Sequence, residues 1–73
     1  MYVIWVEYKF RRIDSPASGY VTKRKHWQIQ PIITNKTREF KTMTGAARRL
    51  RIILEDWTDS PVIEWIHGEI REV

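Results

Sequence analysis

The sequence predicts an α+β fold, in which a small antiparallel β-sheet led by a long β-hairpin carries one amphipathic α-helix on one face (ββ(β)αβ). Three observations predict this fold. Residues 2–12 alternate between apolar and polar side chains, with the period of two that is typical of a half-buried strand. Residues 14–19 combine Pro, Gly and Ser, which are turn residues, ahead of a second alternating stretch. Residues 43–57 repeat apolar side chains every three or four positions, as a core-facing helix does.

The length of 73 residues predicts a single small domain over residues 1–73. A domain of this size buries only about 60% of the surface that its unfolded chain exposes. The chain contains no cysteine, so neither a disulfide nor a thiolate ligand adds to its stability. The apolar run at residues 2–6 is too short for a membrane span and lacks the flanks of a signal peptide. We therefore expect a cytoplasmic protein that does not bind a membrane.

The β-hairpin is predicted over residues 2–33, with one face of both strands in the core. A loop centred in the turn residues pairs Ile4 with Ile29. The same register pairs Val6 with Trp27. A shift of this register by two positions keeps the same side chains in the core, whereas a shift by one exchanges the two faces. The predicted core face carries Tyr2, Ile4, Val6, Tyr8, Phe10, Val21, Trp27, Ile29 and Ile33.

A short third strand and the helix are predicted to follow the hairpin. Residues 38–41 form the strand, with Phe40 pointing into the core. Thr42 or Thr44 then caps the helix, which we predict over residues 43–57.

The C-terminal segment, residues 62–72, is interpreted as a strand that joins the sheet, with a helix as the alternative. Ser60 followed by Pro61 is a good helix start, and the apolar residues also fit a helical stripe. The many β-branched residues, together with Trp65 and Gly68, favour the strand. Periodicity alone does not separate the two structures in a short apolar run, and we prefer the strand.

No arrangement of residues that is typical of an enzyme occurs in the sequence. The three glycines are isolated from one another and form no phosphate-binding loop. His26 and His67 do not have the spacing of metal ligands, and no Ser, His and Asp arrangement indicates nucleophilic catalysis. We therefore predict a binding module that is not an enzyme and that has no catalytic residues, metal or cofactor.

Positive charge is concentrated in the first three quarters of the chain. Residues 1–54 contain twelve Lys and Arg against three acids, whereas residues 55–73 contain six acids against one Arg. This division predicts a surface that faces a polyanion and an acidic C-terminal end. The alternative interpretation is that the acidic end neutralises the basic part within the monomer.

The basic β-hairpin is the basis of the predicted function. Lys and Arg bind phosphates and release counterions, and a two-stranded ribbon fits the major groove of DNA. Gln28 and Gln30 are placed to contact base edges, and stacking of Trp5 on an unpaired base would favour single strands or RNA. We therefore predict binding to the phosphate backbone of DNA or RNA. The predicted contacts are Lys9, Arg11, Arg12, Lys23, Arg24 and Lys25 on the hairpin, with Arg48, Arg49 and Arg51 on the helix.

The second hypothesis is a protein–protein module. Phages and mobile elements use small modules of this kind to inhibit or redirect a larger host nucleic-acid machine or a defence nuclease. Trp5, Ile52 and Trp65 are the predicted partner contacts, because exposed aromatic and apolar side chains act as hot spots of binding. The first strand begins with apolar residues on both faces, which also permits a homodimer formed by sheet extension.

Overall fold

The structure, a computed structural model, describes residues 1–24 and 28–73 and confirms the α+β fold. Its elements are β1 (Tyr2–Phe10), β2 (Ala17–Val21), β3 (Ile29–Gln30), α1 (Met43–Thr58) and β4 (Ile63–Glu72). The strands form one antiparallel sheet in the order β3-β2-β1-β4, and α1 packs against one face of it. Predictions for Lys25, His26 and Trp27 lie outside the described residues. Within residues 1–24 and 28–73, no helix has the length and hydrophobicity of a membrane span.

The core lies between α1 and one face of the central strand, β1. Ile4 and Val6 on this strand are completely buried, together with Ile53 of the helix. Successive side chains of a strand point to opposite faces, so Val3 and Trp5 lie on the face that α1 does not cover. We call this second face the open face of the sheet; it carries Trp5, Tyr20, Trp65, Glu69 and Arg71.

The predicted hairpin has the wrong register, although its faces are right over β1, Val21 and Ile29. Ile33, predicted on the core face, is 42% exposed and does not belong to the core. Ile4 has its partner on β4 and does not lie opposite Ile29. Val6 lies opposite Gly19 of β2, in the place that the prediction gives to Trp27. The observed register differs from the predicted one by an even number of positions, and such a shift preserves the division between the two faces.

The second strand of the predicted hairpin, which we call its return arm, is replaced by two short strands, β2 and β3. The β1–β2 hairpin therefore spans residues 2–21 and not 2–33. β3 contains only two residues and pairs with β2, not with β1. Gly19 permits this close pairing, because a Cβ at this position would lie only 2.7 Å from the carbonyl oxygen of Gln30. Pro31 follows at once and has no N–H to continue the ladder, which ends β3.

The predicted strand over residues 38–41 is wrong, although Phe40 does pack against the core as predicted. Phe40 and Tyr2 exchange two backbone hydrogen bonds of 2.8 Å, and the Arg38 N–H donates to the carbonyl oxygen of Val21 at 2.9 Å. These bonds join the segment to the ends of both β1 and β2. They form isolated bridges instead of a strand because the segment changes its partner after two residues.

The helix agrees closely with its prediction and ends one residue later, at Thr58. Thr42, one of the two predicted caps, accepts a 3.0 Å hydrogen bond from the N–H of Gly45. The predicted apolar stripe faces the sheet: Ala46 and Ile53 are fully buried, and the Trp57 ring packs on Tyr8.

The C-terminal segment is a strand, which settles the two alternatives in favour of the predicted one. β4 begins one residue later than predicted, at Ile63, and pairs antiparallel with β1 along its length. Ile66 and Ile70 pack against the core, where burial of branched side chains on a pleated surface outweighs the helix start at Ser60. Gly68 makes room for the helix, since a Cβ there would lie 2.5 Å from the Cδ1 of Leu50.

Candidate nucleic-acid interface

The register separates the basic residues of the predicted hairpin tip into two groups. Lys9 lies near the end of β1, and Arg11 and Arg12 lie in the loop after it. Lys23 follows β2, and the observed register, when continued, places it level with Tyr2 at the opposite end of β1. The two groups are therefore about 23 Å apart along the sheet, at about 3.3 Å per residue. The prediction of one crowded basic tip is wrong because it depended on the register.

The group at the loop end is largely engaged with the residues that begin β4. The Nζ atom of Lys9 lies 2.8 Å from a carboxylate oxygen of Glu64, and only 19% of the Lys9 side chain is exposed. This hydrogen bond from Lys9 holds the pKa of the Glu64 carboxyl below its usual value. Arg11 and Arg12 are both exposed, and Arg11 donates from Nε to the carbonyl oxygen of Pro61 at 3.1 Å. The acidic end of the chain thus neutralises part of this group.

The group at the opposite end lines a polar recess of about 400 Å³. The walls of the recess come from the residues that follow β2, from β3 and from the turn at residues 34–37. The lining side chains include three cations and three carboxamides but no carboxylate. We call this site the basic recess; it is lined by Thr22, Lys23, Arg24, Gln28, Gln30, Asn35 and Lys36.

Hydrogen bonds within the turn hold Lys36 against the end of β2. The Lys23 N–H donates to the carbonyl oxygen of Lys36 at 2.8 Å. The Thr34 hydroxyl donates to the side-chain oxygen of Gln30 at 2.7 Å and accepts from the Lys36 N–H at 3.1 Å. Buried Thr37 accepts from the Thr34 N–H at 2.9 Å. The backbone positions of Lys23 and Lys36 are therefore fixed by the fold.

Thr22 makes the buried floor of the basic recess polar. This residue is only 7% exposed, and its hydroxyl has no hydrogen-bond partner among the described residues. Buried hydroxyls without a partner are uncommon in folded proteins, because desolvation of the group is not compensated.

On the open face, Arg71 of β4 stacks on aromatic side chains. Its guanidinium carbon lies 4.4 Å from the ring centre of Trp5 and 5.7 Å from that of Tyr20. Hydrogen bonds from Arg71 to the Glu69 carboxylate, at 2.7 Å, and to the Tyr20 hydroxyl, at 2.9 Å, raise the pKa of Arg71. Tyr20 lies directly opposite Gln30, so this aromatic cluster adjoins the basic recess.

Of the three predicted helix arginines, Arg48 and Arg51 lie about 60° apart around α1 and share one face, whereas Arg49 lies about 100° from Arg48 on the other side, at 100° per residue. Arg51 forms an exposed ion pair with Glu55 at 3.1 Å. Arg48 is exposed, whereas Arg49 is partly buried and its Nε has no hydrogen-bond partner among the described residues. The helix therefore presents Arg48 and Arg51 together on its exposed face, and Arg49 is not part of that group.

The three predicted partner contacts lie on separate parts of the surface. Trp5 is half-buried beneath Arg71. Trp65 is 38% exposed and lies opposite Lys9, near the other end of the open face. Ile52 is 50% exposed on α1, so the structure does not bring it together with the two tryptophans.

Sequence reasoning missed several residues that complete this site. The turn at residues 34–37 was recognisable from its Thr and Asn, but nothing in its composition shows that it folds back over β2. From the sequence, Arg71 was considered only as the single cation of the acidic C-terminal end. Tyr20 was considered only as part of the return arm of the hairpin. The missed residues are Tyr20, Asn35, Lys36 and Arg71.

Comparisons of the chain with protein-family models, with curated proteins and with solved structures gave no match. Within residues 1–24 and 28–73, no group of three or more His, Asp and Glu is arranged to hold a metal ion. The argument for function therefore depends on the geometry of the chain's own side chains.

Proposed function

We propose that the protein binds single-stranded nucleic acid, with phosphates at the basic recess and bases on the adjoining aromatic cluster of the open face. One observation carries this proposal: Lys23, Arg24 and Lys36 come from two separate segments and line one recess that contains no carboxylate. Elsewhere on the described surface, Lys9, Arg51 and Arg71 each have a carboxylate partner.

The charge of the recess and its hydrogen-bond donors support phosphate binding at this site. Three cations around a single concave site bind successive phosphates and release condensed counterions, which drives association at low salt. The carboxamides of Gln28, Gln30 and Asn35 add hydrogen-bond donors that suit phosphate oxygens or base edges.

Base stacking is supported by the position of the aromatic cluster. Tyr20 and Trp5 lie on the face that α1 leaves uncovered, next to the recess, and the Arg71 guanidinium lies over the Trp5 ring and donates a hydrogen bond to the Tyr20 hydroxyl. Unpaired bases stack on aromatic rings and on guanidinium planes, whereas bases in a duplex are not available for such contacts.

The geometry of this surface favours binding of a single strand over insertion into the major groove of a duplex. Insertion into the groove would need a long ribbon with a free basic tip. The hairpin instead ends at residues 11–16, where Lys9 is paired with Glu64 and Arg11 is bonded to Pro61.

Fluorescence anisotropy with a labelled oligothymidylate and with a duplex of equal length tests the proposal. We expect tighter binding to the single strand, with a logarithm of affinity that falls linearly with the logarithm of salt concentration. Absence of binding in low salt, or tighter binding to the duplex, would show that the proposal is wrong.

A matched pair of variants tests the stacking part of the proposal. Tyr20→Leu removes a ring beside the recess, and we expect it to cost roughly 1–3 kcal/mol of binding free energy. Trp65→Leu removes a ring at the far end of the open face and serves as the control, with an expected cost well below that of Tyr20→Leu. An equal loss in both variants would contradict the assignment of the aromatic cluster.

A further inference from the structure

The outer edge of β4 is a long strand edge without a partner in the part of the chain that the structure describes. β4 contains ten residues, and β1 is its neighbour on one side only. Such an edge offers a row of free N–H and C=O groups to another strand. Proteins that stay monomeric commonly shorten or cover an edge of this kind, and here it is neither short nor covered by a described residue.

The hydrogen-bond pattern identifies the backbone groups that point outward. Met1 and Val73 exchange two backbone hydrogen bonds, of 2.9 and 3.3 Å, so they form a hydrogen-bonded pair of the antiparallel ladder. Such pairs alternate with pairs that make no hydrogen bonds, so every second residue of β4 turns its N–H and C=O away from β1. The residues that point outward are Ile66, Gly68 and Ile70.

We propose that this edge pairs with the same edge of a second copy, and that the protein is a two-fold symmetric dimer with one continuous eight-stranded sheet. A two-fold axis at Gly68, near the midpoint of β4, pairs almost the whole strand with its copy. In this register each Ile66 lies opposite the Ile70 of the second copy, and their outward-pointing backbone groups meet. Isologous contacts of this kind are the commonest form of closed dimer.

Side chains on the open face are complementary in the same register. Each His67 lies opposite the Glu69 of the second copy, and each Trp65 lies opposite its Arg71. The first pair places an imidazole beside a carboxylate, and the second places an indole ring beside a guanidinium group. Like-charged Glu64 and Glu72 meet only at the ends of the junction, where Glu64 is already paired with Lys9.

The flank of α1 above this edge carries apolar side chains that a dimer would bury. Leu50 contacts the position of Gly68, and Thr58 lines a recess with Ile66 and Trp65, so this flank of the helix faces the edge of β4. At 100° per residue, the same flank carries Met43, Ala47 and Leu54. Met43 is 56% exposed, and Ala47 is exposed too.

The spacing of the two helices also suits direct packing. α1 packs against both β4 and β1. With strands about 4.8 Å apart, helices centred above these strand pairs would lie about 10 Å from each other across the junction. Packed helices lie about 8–10 Å apart, so the apolar flanks of the two helices would be in contact.

Sedimentation equilibrium of the full chain, with two charge-matched variants, tests the dimer. We expect the wild type to reach twice the mass of the 8.9 kDa chain. Ala47→Glu places a carboxylate in the helix–helix contact and should weaken the dimer by about tenfold or more. Ile52→Glu places the same charge on the other flank of α1 and should leave the dimer intact. Thermal unfolding followed by circular dichroism verifies that both variants fold.

Amide hydrogen exchange tests whether the edge of β4 forms the junction. The N–H groups of Gly68 and Ile70 should become more protected as the protein concentration rises, because only the dimer bonds them. A wild type that remains monomeric at all concentrations would overturn the proposal. So would a dimer that Ile52→Glu dissociates and Ala47→Glu does not, or one that leaves these amides unprotected. Each of these results is independent of nucleic-acid binding.

Discussion

Lys9 illustrates how a partner distant in sequence decides the role of a charged residue. Its place at the end of the first strand was predicted correctly, but its binding partner was not. Glu64 is 55 positions away and reaches Lys9 because β4 pairs with β1. Alternation within a strand reports which face a residue occupies and carries no information about the neighbouring strand.

The Lys9–Glu64 pair leads to a prediction about pKa. Lys9→Met should raise the pKa of Glu64, because the hydrogen bond and the nearby positive charge that lower it are lost. Since the folded-state pKa is lowered, the pair stabilises the protein above the ordinary pKa of 4.5 and loses this effect as the pH falls through the lowered value. An NMR titration of the Glu64 carboxyl measures the shift.

Arg12→Met is the control for that titration, because it removes a positive charge of the same loop that does not contribute to the lowered pKa of Glu64. We expect little change in the pKa of Glu64 in this variant. If both variants shift the pKa equally, net charge and not the Lys9 contact determines it.

Two glycines should differ in their tolerance of alanine. A Cβ at Gly19 would meet the backbone of Gln30 at 2.7 Å, whereas a Cβ at Gly68 would meet the flexible end of the Leu50 side chain. Neither glycine has a positive φ, so the cost is steric. We expect Gly19→Ala to lower the free energy of unfolding by roughly 1–3 kcal/mol, and Gly68→Ala to lower it by less. Urea denaturation measures both, and the reverse order would contradict the close β2–β3 approach.

At the scale of elements, the helix and β4 were predictable and the return arm was not. The helix repeats its apolar positions over four turns, so local sequence predicts it. The branched residues of β4 favour a strand, but its apolar pattern also fits a helix, and packing of Ile66 and Ile70 against the core decides between the two. The return arm depends on Gly19, which allows β3 to pair closely with β2, and on Pro31, which ends β3. The segment at residues 38–41 bonds to two strands in turn, and such a long-range arrangement leaves no periodic signal.

The helix cap gives a prediction at this scale. Thr42→Ala removes the oxygen that accepts from the Gly45 N–H and should lower the free energy of unfolding by about 1 kcal/mol. Thr44→Ala is the matched control, because Thr44 is exposed within the first turn and should change stability by less than half as much. Thermal or urea unfolding compares the two variants, and a larger effect at Thr44 would place the cap there.

At the scale of the whole molecule, the candidate site could be predicted only in part. Lys23, Arg24 and the two glutamines of the basic recess were singled out from charge and alternation. Lys36 and Asn35 join them only because the turn at residues 34–37 folds back on β2. The loop-end cations were predicted to share this surface, and the register of β1 with β2 places them at the opposite end.

The central claim, that the basic recess is the phosphate site, is tested most directly by salt dependence in two charge-matched triple variants. Lys23→Ala/Arg24→Ala/Lys36→Ala empties the recess of cations, and Arg11→Ala/Arg12→Ala/Arg51→Ala removes three charges elsewhere. For a single strand, the slope of log affinity against log salt should become shallower by about 2 in the recess variant, at about 0.7 per phosphate contact. The control variant should change the slope by much less. Equal changes in the two slopes, or a larger change in the control, would contradict the claim.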